Sequence, residues 1–206
     1  MHAWLCENPI GVEALTWKEL PTPQPGAGEV LLEIQAASLN FPDLLIVQNK
    51  YQMKPPLPFV PGSEYAGVVR AVGEGVTHLK VGQSVACLSG TGGFGTHTLA
   101  PAKLCMPLPP GFPAVDAAAF IMTYATSHHA LIDRGQLKAG ETVLVLGAAG
   151  GVGTAAIQIV VAFESFEEII PAAADENIIE RITREDIAES ATRDVFDDLR
   201  RNGQFQ

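Results

Sequence analysis

A glycine-rich turn between a strand and a helix is the feature that most restricts the fold of this 206-residue chain. Residues 141–146 are an apolar run, as expected for a strand buried on both faces. The turn 147–153 contains four glycines, and residues 154–161 have the composition of a helix. Strand, turn and helix in this order begin a βαβ unit, so we expect an α/β domain here.

The turn points to phosphate chemistry. Its backbone N–H groups and the positive end of the helix dipole converge on one point, which suits a pyrophosphate. Gly150 would let the backbone approach the phosphate, and Gly153 would let the helix pack tightly on the strand, although Ala148 replaces the first glycine of G-x-G-x-x-G. We therefore predict dinucleotide binding by Ala148, Gly150, Gly151, Val152 and Gly153. The alternative is a tight turn with a structural role alone.

The first half of the chain has the pattern of a small β domain. Apolar runs at 30–34, 65–72 and 84–88 are bounded by glycine and proline, which indicates a small barrel or sandwich. Residues 43–47 form a candidate short helical turn before a proline-rich loop. Residues 114–135 have the composition of helix.

Charge and cysteine content exclude several classes of protein. The net charge of −10 makes a nucleic-acid partner or an anionic membrane surface improbable. No apolar stretch is long enough for a transmembrane helix, and no secretory signal is visible at the start. The three cysteines are odd in number and lack C-x-x-C spacing, which favours a reducing cytoplasm over a disulfide framework.

The last 44 residues differ from the rest. Residues 163–206 contain twelve acidic and five basic residues and only one of the 20 glycines. Residues 168–174 are a candidate second strand, weakened by Pro171. Residues 183–186 have the form of a helix start, and apolar residues then recur every fourth position, which predicts one acidic amphipathic helix.

The chain resembles the medium-chain dehydrogenase/reductase superfamily, specifically its zinc-independent quinone oxidoreductase branch. The matching segments are ASLNFPD (37–43), PFVPGSEYAG (58–67), VGEGV (72–76), VGQSV (81–85) and LKAGETVLVLGAAGGVG (137–153). The resemblance implies a GroES-like β-barrel domain (1–113), a partial Rossmann domain (114–175) and an acidic helical tail (176–206). It also implies NADPH between the two domains, with NADH as the other possibility, and hydride transfer to a quinone or an activated enone.

The resemblance also implies that the protein holds no zinc. Zinc members carry a cysteine where this chain has residues 40–43, and Gly-His-Glu where it has Gly62-Ser63-Glu64. The four-cysteine structural lobe of those members has no counterpart either. A tetrahedral site cannot form without such ligands, so we expect Glu64 to be a structural hydrogen-bonding or ion-pairing acid.

Three side chains match functional positions of the family. Asn40 would bond the nicotinamide ribose or the acceptor carbonyl, Tyr51 would donate to a developing quinone oxygen, and Thr123 would face the cofactor. Each has an alternative: a turn residue for Asn40, loop packing for Tyr51, and a bond within its own helix for Thr123. A further family tyrosine is replaced here by Leu45.

Two other patterns are interpreted as structural. His128 and His129 fall in a segment that is simply helix in the family, and adjacent helical residues point in different directions. The loop 89–95 is rich in glycine but lacks the lysine and hydroxyl pair of a phosphate loop. It aligns with a family turn between strands.

The resemblance ends near residue 161, where less than half of a Rossmann sheet has been supplied. The remaining residues are too few for the other strands, and the usual dimer edge of the family is missing, so a homodimer stays an open alternative. Asp175 or Glu176 would be the ribose discriminator and would favour NADH, or else these acids start a helix. The tail is a truncation or frameshift product, a cap on the sheet, or a docking element.

Three functions remain at this point. The first is an NAD(P)H-dependent reductase of quinones or enones, and the second is an enoyl-thioester reductase of the same architecture. The third is an inactive remnant or binding module. We expect a small-molecule quinone or enone as the partner, no nucleic acid and no membrane insertion.

Overall fold

The computed structural model describes residues 1–162 and the backbone of residues 168–172. The chain forms two compact units, Met1–Met122 and Thr123–Gln206. The sequence placed a domain boundary after residue 113, whereas residues 114–122 lie with the first unit because a helix there packs on its strands. The expected acidic tail 176–206 and the acids at 175 and 176 lie outside the described residues.

Seven strands build the first unit. They are β1 (His2–Leu5), β2 (Thr16–Glu19), β3 (Glu29–Ala37), β4 (Glu64–Val72), β5 (Ser84–Leu88), β6 (His97–Pro101) and β7 (Cys105–Pro107). Five of them form an antiparallel sheet in the order β6-β3-β4-β5-β7, and β1 pairs with β2. The strands predicted at 30–34, 65–72 and 84–88 are therefore confirmed.

One buried cluster of the first unit lies on one face of this sheet. Alternate residues of β3 and β4 point inward, so that Val30, Leu32, Tyr65 and Val69 are completely buried together. Gly67 marks a point where β4 lies very close to β3. A Cβ atom there would overlap the carbonyl oxygen of Glu33 and lie 2.9 Å from its carbonyl carbon.

Short helices and helical turns occur in both units. They are α1 (Phe41–Val47), α2 (Ala114–Ala118) and α3 (Thr126–His128), with 3₁₀ turns at Val12–Ala14 and Ala102–Leu104 and π-helical turns at Ile121–Ala125 and His129–Arg134. The predicted helical turn at 43–47 is confirmed as part of α1. The predicted helical region 114–135 is present but broken into these shorter pieces. No helix in the described part of the chain is long and apolar enough to cross a bilayer.

The second unit contains a strand, a helix and a parallel strand. They are β8 (Thr142–Leu146), α4 (Gly151–Ala162) and β9 (Glu168–Ala172). β8 and β9 are in parallel register, with Val145 opposite Pro171. This confirms the βαβ start, and β9 forms despite its proline. Proline is tolerated in a strand that has a single neighbour, as β9 has among the described strands.

The expectation that β8 is buried on both faces is wrong for the described structure. Val143 and Val145 are buried against Ala156 and Val160 of α4. The alternate side chains point away from α4, and Leu144 is 56% exposed. α4 covers one face of β8, and no described element covers the other.

The close approach at Gly67 gives a stability prediction. Gly67→Ala forces β4 away from the carbonyl group of Glu33 and should lower the free energy of unfolding by about 1–3 kcal/mol. Arg70→Ala, an exposed change on the same strand, is the control and should cost less than about 1 kcal/mol. Urea denaturation of the full chain measures both. Equal stabilities of the two variants would contradict the role of Gly67.

Candidate functional site

The glycine turn between β8 and α4 is held by short backbone bonds. Gly147 adopts a φ of 67°, a conformation that side chains disfavour. The N–H group of Gly150 donates to the carbonyl oxygen of Gly147 at 2.9 Å, and that of Thr154 donates to Gly150 at 2.8 Å as the first bond of the helix. The Thr154 hydroxyl also donates to the Ala148 carbonyl oxygen at 3.2 Å. These bonds fix the backbone of the turn in one conformation.

Gly153 allows the helix to start against the end of the strand. A Cβ atom there would overlap the carbonyl oxygen of Gly147 and lie 2.8 Å from the Cα of Ala148. Every residue other than glycine would push the first turn of α4 away from the strand end. The predicted packing role of Gly153 is confirmed.

The turn is open to solvent rather than filled by side chains. Gly147, Ala149, Gly150, Gly151 and Val152 are all exposed. The first N–H groups of a helix have no acceptor within the helix, and at α4 these belong to residues 151–153. Such groups beside an open glycine turn can hold a diphosphate, because they donate hydrogen bonds at the positive end of the helix dipole.

Residues of the preceding helical region brace this turn. The buried hydroxyl of Ser127 donates to the carbonyl oxygen of Val152 at 2.8 Å. The methyl group of Thr123 lies 3.0 Å from the position a Cβ atom would take on Gly151. The Tyr124 hydroxyl donates to the side-chain oxygen of Gln158 on α4. Thr123 thus lies beside the turn, and its role of facing the cofactor stays a prediction. Ser127 was not predicted.

The first unit holds a separate polar cluster around Asn40. The side-chain amide of Asn40 donates to the hydroxyl oxygen of Ser38 at 2.8 Å and to Oε2 of Glu64 at 3.1 Å. The Ser38 hydroxyl donates to the same Oε2 at 2.6 Å, and the backbone N–H of Met122 donates to Oε1 at 2.9 Å. Glu64 is completely buried, and its expected role as a hydrogen-bonding acid is confirmed.

A second buried carboxylate adjoins this cluster. Asp43 accepts bonds at 2.9 Å from the backbone N–H groups of Asn40 and Ser63, and one at 2.5 Å from the Ser63 hydroxyl. Burying a carboxylate is costly unless it is hydrogen-bonded, and here each of the two acids accepts three bonds. The result is a fixed geometry around Asn40. Sequence reasoning missed Ser38 and Asp43 as contributors.

Asn40 is also the residue that precedes the first turn of α1. It pairs with Asp43 as in a capping box, in which each side chain faces the backbone N–H of the other residue. Asn40 is therefore also a turn residue, which was the alternative role predicted for it. The same side chain also belongs to the polar cluster.

The other predicted residues lie apart from these groups. The ring of Tyr51 packs on the cluster of Cys6, Ile46 and Phe59, and its hydroxyl makes no hydrogen bond within the described residues. The catalytic role predicted for it stays a prediction. The loop 89–95 joins β5 to β6, as expected. His129 forms an exposed pair with Asp133 and belongs to neither the turn nor the Asn40 cluster.

Buried thiol and phenol groups contact one another in the first unit. Burial raises the pKa of the Tyr65 phenol, and the bond that Cys105 donates to Cys87 raises the pKa of the Cys105 thiol. The same bond lowers the pKa of the Cys87 thiol. All three cysteines are reduced and buried. Within residues 1–162 no three acidic, histidine or cysteine side chains are grouped so that they could hold a metal ion.

Comparison with known proteins identifies the relatives of this fold. Residues 26–110 match the alcohol dehydrogenase GroES-like domain. A quinone oxidoreductase from Thermus thermophilus, solved also in complex with NADPH, superposes with a TM-score of 0.73 at 35% sequence identity. The match covers 85% of this chain and 54% of the other. The chain belongs to the medium-chain dehydrogenase/reductase superfamily.

Two further relatives show the range of this superfamily. The synaptic vesicle membrane protein VAT-1 homolog of Rattus norvegicus is 44% identical over 137 residues, which are 66% of this chain and 34% of the relative. The JamJ enoyl reductase superposes with a TM-score of 0.70 at 28% identity, covering 82% of this chain and 53% of that one. The chain thus spans about one third to one half of the length of these relatives.

The comparisons also confirm the expected fold class. The β unit is a GroES-like domain, and the second unit carries the first part of the Rossmann fold found in NAD(P)H-dependent oxidoreductases of the superfamily. The roles assigned to individual residues are not tested by this likeness and stay predictions.

Proposed function

We propose that the protein binds NADPH, with NADH as the alternative, and reduces a quinone or an activated enone without zinc. The observation that carries the proposal is the open glycine turn, where α4 starts against the carbonyl group of Gly147. The NADPH complex of the Thermus thermophilus relative supports a nicotinamide cofactor. The reducing cytoplasm and a small-molecule acceptor remain our expectations for compartment and partner.

The residues at the turn fit a dinucleotide. Gly150, Gly151 and Gly153 leave no side chain between the backbone and a phosphate, and Val152 and Ala148 complete the loop. The N–H groups at the start of α4 would hold the diphosphate. The preceding helical region fixes the turn in place through Thr123 and Ser127.

The cofactor, when bound, supplies the hydride, so the protein's task is to bind, orient and shield the reactants. Asn40 is held rigidly by its bonds to Ser38 and Glu64 and would orient a bound group. Tyr51 would donate its phenolic proton toward a developing oxyanion at the acceptor. Its ring is fixed by apolar packing, while its hydroxyl has no bond among the described residues.

Cofactor affinity tests the proposal. Titration with NADPH and with NADH, followed by nicotinamide fluorescence, should saturate for the wild-type protein. Gly150→Asp should abolish saturation, because it places a side chain and a negative charge against the phosphate. Ala139→Asp adds the same charge at another exposed position of the second unit and should bind like the wild type.

The result that contradicts the proposal is the absence of saturation for the wild type up to millimolar cofactor. That outcome favours the inactive remnant or binding module. Equal loss of binding in the two variants would show that added charge, rather than the turn, decides affinity.

The likeness to an enoyl reductase favours a second candidate, an enoyl-thioester reductase. Turnover of a simple quinone and of a crotonyl thioester with NADPH separates the two activities. We expect the ratio of kcat/KM to favour the quinone. A higher value for the thioester would replace the quinone assignment with the enoyl one.

A further inference from the structure

The hydrogen-bond polarity of Asn40 is determined by its neighbours. An asparagine side chain offers two N–H donors and an oxygen with two acceptor positions. The amide nitrogen is used twice, on the Ser38 hydroxyl oxygen and on Oε2 of Glu64. The oxygen faces the backbone N–H of Asp43, but that N–H donates at 3.0 Å to the backbone carbonyl oxygen of Asn40. Because Asn40 is only partly buried, its side-chain oxygen retains acceptor capacity for a ligand.

The opposite orientation of this amide is excluded by the charge of Glu64. Rotating the amide by half a turn would place its oxygen 3.1 Å from a carboxylate oxygen, so that two acceptors face each other. It would also turn the amino group toward the N–H of Asp43, so that two donors meet. The Ser38 hydroxyl cannot donate to the rotated amide oxygen, because its proton is already donated to Glu64. The carboxylate is in turn fixed by the N–H group of Met122.

We infer that Ser38 and Glu64 are positioning residues that make Asn40 an acceptor, and that the ligand group it binds is a hydroxyl rather than a carbonyl. This deepens the proposed function and rests on it. A hydroxyl can come from the ribose of the cofactor or from the acceptor substrate. A quinone or enone carbonyl cannot bind there, since it has no proton to donate.

The orientation of the Asn40 amide can be tested by hydrogen exchange without any ligand. The two side-chain amide protons of Asn40, assigned in a ¹H–¹⁵N spectrum by their absence in Asn40→Ala, should exchange with solvent slowly. They should exchange faster in Glu64→Gln and keep the wild-type rate in Glu33→Gln, a matched change at an exposed carboxylate. If Glu64→Gln fails to fold, Ser38→Ala removes one of the two acceptors and serves instead. Exchange in the wild type as fast as in an exposed asparagine overturns the inference.

The coupling between Asn40 and Glu64 is measured by a double-mutant cycle on NADPH affinity, or on the KM of the hydroxyl-bearing substrate if NADPH affinity does not respond. Asn40→Ala should raise the responding constant, Kd or KM, roughly three- to tenfold, as expected for one lost hydrogen bond. Glu64→Gln should raise it by a similar factor, because the freed amide can turn its donors outward. The double variant should bind no more weakly than Asn40→Ala alone, because Glu64 acts through Asn40. If the double variant instead bound more weakly than Asn40→Ala by the full factor of Glu64→Gln, Glu64 would act independently of Asn40 and the positioning role would be overturned.

The source of the hydroxyl follows from the same variants. A raised Kd for NADPH assigns it to the ribose. Unchanged NADPH affinity with a raised KM for 2-hydroxymethyl-1,4-naphthoquinone, but not for menadione, assigns it to the substrate. An equal rise in KM for both quinones, or no change anywhere, overturns the hydroxyl assignment. Failure of the wild type to bind NADPH overturns the proposed function instead, and amide exchange still decides the orientation.

Discussion

The close approach of α4 to the carbonyl group of Gly147 determines the geometry of the second unit. With no side chain at Gly153, the helix begins directly at the end of β8, and its first N–H groups lie beside an exposed turn. The same contact aligns α4 along β8, so that Val143 and Val145 become buried. Strand, turn and helix therefore depend on one position that tolerates glycine alone.

The first unit is organised by a comparable constraint, the burial of two carboxylates. Glu64 and Asp43 lose their hydration, and the six hydrogen bonds they accept offset that cost. Because these bonds come from three separate segments, they join the residues before α1, the start of β4 and the end of the unit. A consequence is that the amide of Asn40 has a single orientation. The burial of these carboxylates thus decides whether Asn40 offers a ligand a hydrogen-bond donor or an acceptor.

Local patterns predicted the fold better than they predicted the site. The turn at 147–153 and the strands of the β unit were readable because glycine spacing and apolar runs act over a few residues. The roles of Ser127 and Ser38 could not be predicted, because their hydrogen-bond partners lie 25 and 26 residues away along the chain. No local sequence pattern marks either residue. The exposure of Leu144 on β8 in the described structure was also not predicted, because an apolar run does not say what covers it.

The most direct test of the account is whether backbone amides of the turn bind phosphate. ¹H–¹⁵N spectra of the labelled protein, recorded with NADPH or with inorganic pyrophosphate against sodium chloride of equal ionic strength, report each amide separately. The account predicts that the largest shifts fall on Gly151, Val152 and Gly153, and that sodium chloride leaves them in place. Saturating NADPH that shifts these three amides no more than the rest of the chain would contradict it.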